Sequence, residues 1–462
     1  MTTKFGARHR VGFMAVVFAV GVAALYLPGS FAAREDDYAF VRTLVDIQRQ
    51  VSSNYVEDIK PETLRKGAIE GLMRELDPFS EYVPPAEQED FNRMLEGSFQ
   101  GVGVLLNQKD NGEIEVVTPI DDSSAAKAGV QAGDVILAVN DESVVGMLLQ
   151  DVISRVKGAG GTSVKVKFRR LNGTEVEYSL VRSEIQLQTV KGYTRNEDNS
   201  WNYFITGGTQ SVDEPRIAYL RLTQFTSETA ERLKTVMAQL TGTDASGRAI
   251  VDGVSIDGLV LDLRFNPGGQ LEAAVQIADM FLETGTIVSV KGRARPEQIE
   301  RATPAGTLPN FPMAVIVNEF SASASEVLAG ALQDQRRATV VGERSYGKGS
   351  VQEVMKLAND GGELKLTVAH YYLPSGRLVH RKKDATEWGV EPQIKVPMTP
   401  EQQQAAALQR NSLENFRRTI PESTTQPATQ PAGRFGADLQ LERAYTTVVA
   451  MIATSKNQGE KK

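Results

Sequence analysis

The chain has 462 residues, of which 41% are hydrophobic and 24% are charged, a composition typical of a globular protein with about two to four domains. A net charge of −7 and the lack of an extended basic cluster argue against a nucleic-acid partner. Because cysteine is absent, disulfide bonds, thiolate nucleophiles and zinc–cysteine sites are excluded. Beyond the first 33 residues the only histidines are His370 and His380, so a serine–histidine–aspartate triad has few candidates.

Residues 1–33 resemble an export segment. Three basic residues come first: Lys4, Arg8 and Arg10. An apolar stretch from Val11 to Leu27 follows, and the small residues Ala32 and Ala33 fit a cleavage site. The charge-free span from Val11 to Ala33 is also long enough to cross a bilayer as an uncleaved anchor. A cleaved signal peptide and an N-terminal anchor both fit this pattern, and both predict a periplasmic or other extracytoplasmic protein.

Residues 35–96 show helical periodicity, with four apolar residues on one face: Phe40, Leu44, Ile47 and Val51. A second helix is predicted from Pro61 to Leu76 and a third from Ala86 to Leu95, with proline-containing turns between them. We expect a helical arm that packs on the rest of the chain, on a second subunit, or on both.

Residues 97–183 change to short alternating strands, one of them predicted over Gly101–Leu105. The pattern, above all Ala128-Gly129 and Gly133-Asp134, resembles a PDZ domain of the permuted bacterial type. PDZ domains capture the C-terminal carboxylate of a peptide by adding the peptide as a strand beside a glycine-rich loop. The resemblance therefore predicts a peptide-binding loop of four residues: Gly101, Val102, Gly103 and Val104.

Residues 184–395 alternate strands and helices, which predicts an α/β domain. One buried strand, Gly258–Leu263, runs into a turn that ends in Pro267-Gly-Gly269. Another, Ala314–Val317, runs into the turn Asn318–Glu326, which is rich in small hydroxyl residues. A helix follows each turn, so backbone N–H groups and the positive end of a helix dipole are available beside an exposed side-chain oxygen.

Ser323 has two interpretations. It can be the N-cap of the helix, with Glu326 three residues on completing a capping box. It can also be a hydroxyl nucleophile, which needs a base to accept its proton. His370 alternates within the strand pattern Leu364–Tyr372, so we interpret it as a strand residue and look elsewhere for the base.

The loop Gly342–Gly349 nearly matches a phosphate-binding loop, but Gly349 stands where serine or threonine should hold magnesium. The residues after Lys348 alternate like a strand and not like the helix that nucleotide binding requires. Lys348 has two interpretations. It can be a solvated loop residue. If it is buried among apolar strands, it can instead be a neutral amine that acts as the base for Ser323. Gln352 could then orient the amine, and Gly269 or its neighbour, with Ala324, could provide backbone N–H groups for an oxyanion.

Residues 396–462 decline into low complexity. Thr424–Pro431 repeats Thr-Gln-Pro-Ala, which is typical of a disordered spacer. A helix is predicted again from Asp438 to Ala453.

Four motifs then occur in a family order: Phe99-Gln-Gly-Val-Gly103, Leu261-Asp-Leu-Arg-Phe-Asn-Pro-Gly-Gly269, Ser321-Ala-Ser-Ala-Ser-Glu326 and Tyr346-Gly-Lys-Gly-Ser-Val-Gln352. With them the chain resembles the carboxyl-terminal processing peptidases, also called tail-specific proteases. The resemblance implies a multidomain α+β protein: a helical N-terminal arm, a PDZ domain, a crotonase-like α/β protease core and a helical C-terminal segment.

By position, the resemblance implies that Ser323 is the nucleophile, Lys348 the general base and Gln352 its supporting residue. The oxyanion donors would be the backbone of Gly269 and Ala324, with Gly268 left open. The family also implies that the PDZ domain swings over the active site as a two-state element. Two departures predict an altered substrate preference: Phe320 replaces a common glycine, and Phe265 replaces a usual asparagine.

The sequence thus predicts an exported serine endopeptidase, and the alternative is a catalytically silent PDZ adaptor. The expected partners are proteins or peptides with free, apolar C-termini, while a homodimer, a higher oligomer and membrane attachment stay open. No cofactor, metal or nucleic acid is expected.

Overall fold

The structure is a computed structural model that describes residues 32–109, 111–120, 123–131, 133–196, 198, 200–205, 214–242, 256–359, 361–414 and 435–459. The chain divides into two compact units, residues 1–82 and 83–462. The predicted leader lies outside the described residues except for Ala32 and Ala33, which begin the first helix.

The first unit contains two helices, α1 (Ala32–Asn54) and α2 (Pro61–Arg74). Both helices were predicted, α2 with an end at Leu76. Pro61 opens α2 because a first helical residue needs no N–H for the helix ladder, and its fixed φ suits a helix. A short strand, β1 (Glu81–Val83), follows.

Next comes α3 (Gln88–Glu96) and a small β domain with its own buried core. Its elements are β2 (Ser98–Gly101), β3 (Val104–Gln108), β4 (Ile114–Pro119), α4 (Ser124–Ala128), β5 (Val135–Val139), β6 (Glu142–Ser143), α5 (Leu149–Val156), β7 (Ser163–Arg169), β8 (Glu175–Val181) and β9 (Ser183–Gln186). The main sheet has the order β3-β4-β5-β7-β8, while β2 pairs with β9. The single strand predicted over Gly101–Leu105 is wrong, because the chain turns at Gly103, where φ is +80°, and divides it between β2 and β3.

The α/β domain follows. Its strands are β10 (Val190–Lys191), β11 (Thr194–Arg195), β12 (Trp201–Asn202), β13 (Ile217–Leu222), β14 (Gly258–Asp262), β15 (Thr286–Gly292), β16 (Gln298–Arg301), β17 (Met313–Val317), β18 (Thr339–Gly342), β19 (Ser350–Lys356), β20 (Glu363–Tyr372) and β21 (Ile394–Lys395). Its helices are α6 (Thr229–Thr241), α7 (Leu271–Phe281), α8 (Ala324–Asp334), α9 (Pro400–Glu414) and α10 (Leu439–Gly459).

The central sheet has the order β10-β13-β14-β17-β18-β21 and is parallel except for β10. Alternate residues of its middle strands, such as Leu261 and Val315, join a core with residues of α6, α7 and α8. The intervening residues, such as Val260 and Ile316, join a second core with α10. Because helices cover both faces, the middle strands are apolar throughout instead of alternating.

A second, antiparallel sheet contains the strand order β19-β20-β15-β16. Strands β19 and β20 match the sequence prediction. Strand β16 was missed because all four of its residues are exposed and carry no apolar alternation. In this sheet, β19, which follows Lys348, pairs with β20 from Glu363 to His370.

Helix α9 corrects the prediction that low complexity begins at residue 396. Its sequence has little amphipathic character. Glu414, at its end, attaches the helix to strands of the central sheet. The Glu414 carboxylate, which is buried, accepts from Arg221 Nε at 2.7 Å and Lys191 Nζ at 3.1 Å. A buried carboxylate requires such partners. The predicted spacer Thr424–Pro431 lies outside the described residues.

Candidate active site

Two turns lie side by side because their parent strands are neighbours. Strands β14 and β17 are parallel, and Asp262 pairs with Ile316 near their carboxyl ends. The glycine turn after β14 and the serine turn after β17 therefore leave the sheet at the same edge. In open parallel sheets, this edge is where active sites form.

The structure distinguishes the three serines of the second turn. Ser321 Oγ donates to the Leu263 carbonyl at 2.8 Å, and Ser325 Oγ donates to the Asn266 carbonyl at 2.9 Å. Both serines are fully buried, and both join the serine turn to the glycine turn. Ser323 is only partly buried at the start of α8. It is therefore the serine of the three that can present its hydroxyl to a substrate.

Ser323 has an unusual backbone conformation, with φ of 58° and ψ of −120°. Such a conformation is costly for a residue other than glycine and is typically kept at functional sites. The N–H of Ser323 donates to Oε2 of Glu326 at 2.8 Å, which is the glutamate half of the predicted capping box. A capping role for Glu326 and a nucleophilic role for Ser323 are thus compatible.

Glu326 also reaches the lysine loop. Its Oε2 accepts the backbone N–H of Lys348 at 2.8 Å, in addition to that of Ser323. Its Oε1 accepts the backbone N–H of Gly347 at 2.7 Å and the hydroxyl of Ser345 at 2.5 Å. One buried carboxylate therefore holds the two halves of the site together. The sequence analysis missed this role, because the capping pattern indicates only the contact with Ser323.

Burial raises the pKa of the Glu326 carboxyl to about 7, although all four donors favour its charged form. The carboxyl group therefore changes its protonation state near neutral pH. Protonation would leave the two carboxyl oxygens with one acceptor position fewer for the four donors.

Lys348 is partly buried, and its backbone N–H is fixed by Glu326. Gln352 lies on β19 directly after a register shift between Val351 and Gln352. The Gln352 amide nitrogen donates to Ser350 Oγ at 2.8 Å and to Thr367 Oγ1 at 3.1 Å. These bonds fix the orientation of the amide. Its oxygen is left to accept a hydrogen bond from an amine.

Tyr371 is a further site residue that sequence reasoning missed. Its hydroxyl donates to the Lys348 carbonyl, and the Ser323 side chain lies close to it. Burial, reinforced by the nearby Glu326 carboxylate, raises the pKa of Tyr371 well above its usual value, so the phenol stays neutral. The alternation within β20 could have assigned Tyr371 to the buried face, but not to the nucleophile.

The glycine turn packs directly on the serine turn. At Gly268, where φ is +100°, an added Cβ would lie 2.7 Å from Ser323 Cβ. At Gly269, where φ is +137°, an added Cβ would overlap the Phe225 carbonyl oxygen. Neither position therefore has room for a side chain.

The two glycines differ in their N–H groups. The Gly268 N–H donates to Asn266 Oδ1 at 2.9 Å, so it is already engaged. Phe225 donates to the Gly268 carbonyl and accepts from the Gln270 N–H, so the polar groups of Gly269 face away from Phe225. Within the described part of the chain, the N–H groups of Gly269 and Ala324 have no backbone acceptor.

The predicted peptide-binding loop joins β2 to β3. The Val102 carbonyl accepts the Ala125 N–H at 3.0 Å, and the Gly103 carbonyl accepts the Ile120 N–H at 2.9 Å. The loop is thus anchored through its carbonyls. Among the residues that the structure describes, the Val102 and Gly103 N–H groups have no backbone acceptor. Val104 begins β3, which pairs with β4 and with no other described strand.

The nucleotide-binding interpretation of Gly342–Gly349 fails, because the strand β19 follows the loop where a helix would be required. His370 lies in β20, as predicted, and pairs with Ser350 and Lys291 of the neighbouring strands. In the described ranges, no group of three or more His, Asp or Glu side chains is placed to hold a metal ion. Likewise, no described helix is both long and apolar enough to cross a membrane.

Comparisons with known proteins identify the family. The model of peptidase family S41 matches residues 216–396, and a PDZ-domain model matches residues 115–170. A carboxy-terminal-processing protease of Bartonella bacilliformis is 36% identical over 344 residues, which cover 74% of this chain and 73% of that relative. The chain belongs to the carboxy-terminal processing proteases of peptidase family S41.

Other relatives agree. The carboxy-terminal processing protease CtpA of Bacillus subtilis is 31% identical over 351 residues, covering 76% of this protease and 67% of that protein. The solved photosystem II D1 C-terminal processing protease is 27% identical, covers 76% of this chain and 92% of its own, and has a TM-score of 0.40.

The protease is therefore a serine-type peptidase with a PDZ domain, and its substrates are proteins or peptides. The resemblance inferred from the four motifs is confirmed, as is the fold class of helical ends, PDZ domain and α/β core. The matched PDZ range begins at residue 115, so the loop from Gly101 to Val104 lies before it.

Proposed function

We propose that this protease is an exported serine endopeptidase that cleaves proteins selected by their C-terminal tails, with Ser323 as nucleophile and Lys348 as general base. One observation carries the proposal. Ser323 is the partly exposed serine of its turn, and a single Glu326 oxygen accepts the backbone N–H groups of both Ser323 and Lys348.

The neutral Lys348 amine accepts the proton of Ser323 Oγ as the oxygen attacks the substrate carbonyl carbon. The resulting oxyanion receives hydrogen bonds from the N–H groups of Gly269 and Ala324. The Lys348 ammonium then returns the proton to the departing amine, and the acyl-enzyme forms. In the second half, Lys348 accepts a proton from water as the water attacks the acyl carbonyl. The Lys348 ammonium then returns a proton to Ser323 Oγ as the acyl bond breaks and the acid product leaves.

Gly269 is a better oxyanion donor than Gly268, because Asn266 already engages the Gly268 N–H. The Ala324 N–H follows the nucleophile directly and lies at the positive end of α8. Donors of this kind stabilise the charge that develops in the transition state and not the neutral substrate.

Two residues position the catalytic pair. The Gln352 side-chain oxygen accepts a hydrogen bond from the Lys348 amine, while Ser350 and Thr367 hold its amide nitrogen. Tyr371 holds the Lys348 carbonyl beside Ser323 and so limits how far the lysine loop can move.

The PDZ domain selects the tail. The substrate carboxylate binds the N–H groups of Val102 and Gly103, and the preceding residues pair as a strand with the open edge of β3 at Val104. Gly101 gives the loop room to approach the carboxylate. Binding of a tail shifts the PDZ domain between two positions, one of which leaves the catalytic cleft accessible. Residues 1–33 direct the protease out of the cytoplasm, as a cleaved signal or as an anchor.

The test uses the purified full-length protease and an unstructured protein that ends in three apolar residues, with a matched substrate that ends in three acidic residues. We expect cleavage of the apolar-tailed substrate, no cleavage by Ser323→Ala, and retained cleavage by Ser412→Ala, which removes an exposed hydroxyl that bonds only the Gln409 carbonyl of its own helix. Equal cleavage by Ser323→Ala would reject the nucleophile. Binding of the apolar tail without cleavage by the unmodified protease would favour the silent adaptor.

A further inference from the structure

Two phenylalanine rings, one from each catalytic turn, stack on each other. Phe265 follows β14 and Phe320 follows β17, and their ring centroids are 5.2 Å apart with an interplanar angle of 14°. Although stacked on each other, Phe265 remains 39% exposed and Phe320 49% exposed. The pair thus presents apolar surface to solvent that ordinary folding would bury.

The local structure holds this pair in place. Asn318 Oδ1 accepts the backbone N–H of Phe265 at 3.0 Å and that of Phe320 at 3.3 Å. Phe265 has φ of 59°, a conformation that bulky residues rarely adopt. The Arg410 guanidinium of α9 lies over the Phe265 ring, 5.1 Å from its centroid. A strained backbone that displays a ring instead of burying it suggests that the ring is used by a ligand.

The pair lies on the same boundary between turns as the nucleophile. Gly268 is three residues after Phe265, and Ser323 is three residues after Phe320. The two turns meet at Gly268 and Ser323, and they meet again at the stacked rings. A polypeptide that crosses this boundary to place its carbonyl at Ser323 must therefore pass beside the rings.

We propose that Phe320, backed by Phe265, is a specificity-determining platform for a large apolar side chain of the substrate close to the scissile bond. This inference rests on the proposed function of Ser323. The occupant is a side chain of the cleaved segment, because the two rings belong to the turns that carry Ser323 and Gly268. Aromatic and branched aliphatic side chains fit, since they bury the exposed ring face and can stack on it.

The experiment first maps, by mass spectrometry, the cuts that the full-length protease makes in an unstructured protein with an apolar tail. The best site is then made in two forms, one with its large apolar flanking residue and one with alanine there, both with the same tail. We expect kcat/KM to be about tenfold higher for the first form. Phe320→Ala should bring the ratio close to one by lowering only the first value, and Phe265→Asn, which suits a positive φ, should lower the ratio in the same way.

Two further variants serve as controls. Phe320→Leu keeps apolar bulk and should retain most of the ratio, while Leu408→Ala removes a 63% exposed side chain elsewhere on α9 and should leave the ratio unchanged. An unchanged ratio in Phe320→Ala, or an equal loss on both substrates, would overturn the platform alone. Cleavage of either substrate by Ser323→Ala would overturn the proposed function instead.

Discussion

The backbone N–H groups of Ser323 and Lys348 donate to the same oxygen of Glu326, each at 2.8 Å. The two residues belong to loops separated by α8 and β18, so no local pattern could bring them together. Because Glu326 is itself in the first turn of α8, the helix that starts at the nucleophile also fixes the loop of the base. Besides the backbone hydrogen bond from the Tyr346 N–H to the Ser321 carbonyl, the relative position of the two loops therefore depends on this side chain.

Glu326→Gln tests this dependence. Glutamine has one acceptor oxygen and places an NH₂ group against N–H donors, so the lysine loop should move relative to Ser323. We expect kcat to fall about 100-fold, because small displacements of reacting groups cost about that much, with little change in KM. Glu353→Gln is the control, since it removes only an exposed ion pair with Arg295. Equal kinetic effects in the two variants would contradict a positioning role for Glu326.

The same carboxyl should leave a signature in the pH dependence of stability. Its pKa is about 7 in the folded protein and near 4.5 when unfolded, so the folded state binds the proton more tightly. Its stabilising contribution is complete below about pH 4.5 and is lost as pH rises through about 7. The free energy of unfolding of the unmodified protease, minus that of Glu326→Gln, should therefore fall by the order of 3 kcal/mol between about pH 4.5 and pH 8. Denaturant titrations at several pH values measure this difference, and a constant difference would refute the raised pKa.

Lys348→Arg separates a base from a positive charge. A guanidinium keeps its proton at any physiological pH, so it cannot accept the proton of Ser323. We expect Lys348→Arg to be as inactive as Lys348→Ala, with kcat reduced at least about 10⁴-fold, while binding of an apolar tail is retained. Substantial cleavage by the arginine variant would show that the charge, and not proton transfer, is what the reaction needs.

Gly268→Ala should affect the activity of the protease more strongly than its folding stability. The new methyl group would press on Ser323, and the positive φ adds strain. We expect kcat to fall more than about 100-fold. Gly376→Ala is the matched control, because its φ is +81° but no atom lies within 4 Å of the added Cβ. It should lose about 1 kcal/mol of stability and keep its activity. Similar activity in the two variants would mean that the glycine turn does not form the catalytic cleft.

Tyr371→Phe removes one hydroxyl from a buried ring without changing its shape. The Lys348 carbonyl loses a donor, which should cost about 1–3 kcal/mol of stability. If the phenol positions Ser323, kcat should also fall about tenfold or more while KM stays the same, and the fall should persist where the variant is fully folded. Steady-state kinetics well below the melting temperature, combined with thermal unfolding, separate the two effects. A loss of stability with unchanged kcat would assign Tyr371 to the fold alone.

Local sequence patterns predict the parts of the site that local structure builds. The apolar runs before residues 264 and 318 predict buried strands, and both turns follow them as expected. The spacing of Ser323 and Glu326 predicts the contact between Glu326 and the Ser323 N–H, which the structure contains. The alternation after Lys348 correctly excludes a phosphate-binding helix.

Contacts between distant segments are not encoded in this way. The sequence leaves Gly268 and Gly269 as alternative donors, whereas the Asn266 side chain engages the N–H of Gly268 only in the folded turn. Tyr371 has the alternation of any strand residue, and its contact with the catalytic loop depends on how two sheets meet. Helix α9 has no marked apolar stripe that a sequence could reveal. It is attached instead through Glu414, whose charged partners lie on other strands.

Helix α10 has a consequence for the way this enzyme is made. Residues such as Leu441 and Val448 cover one face of the strands that lead to both catalytic turns. Until they have been synthesised, Val260 and Ile316 lack the helix that covers them, and the strands beneath the two loops are incompletely packed. A chain that lacks this helix should therefore be proteolytically silent.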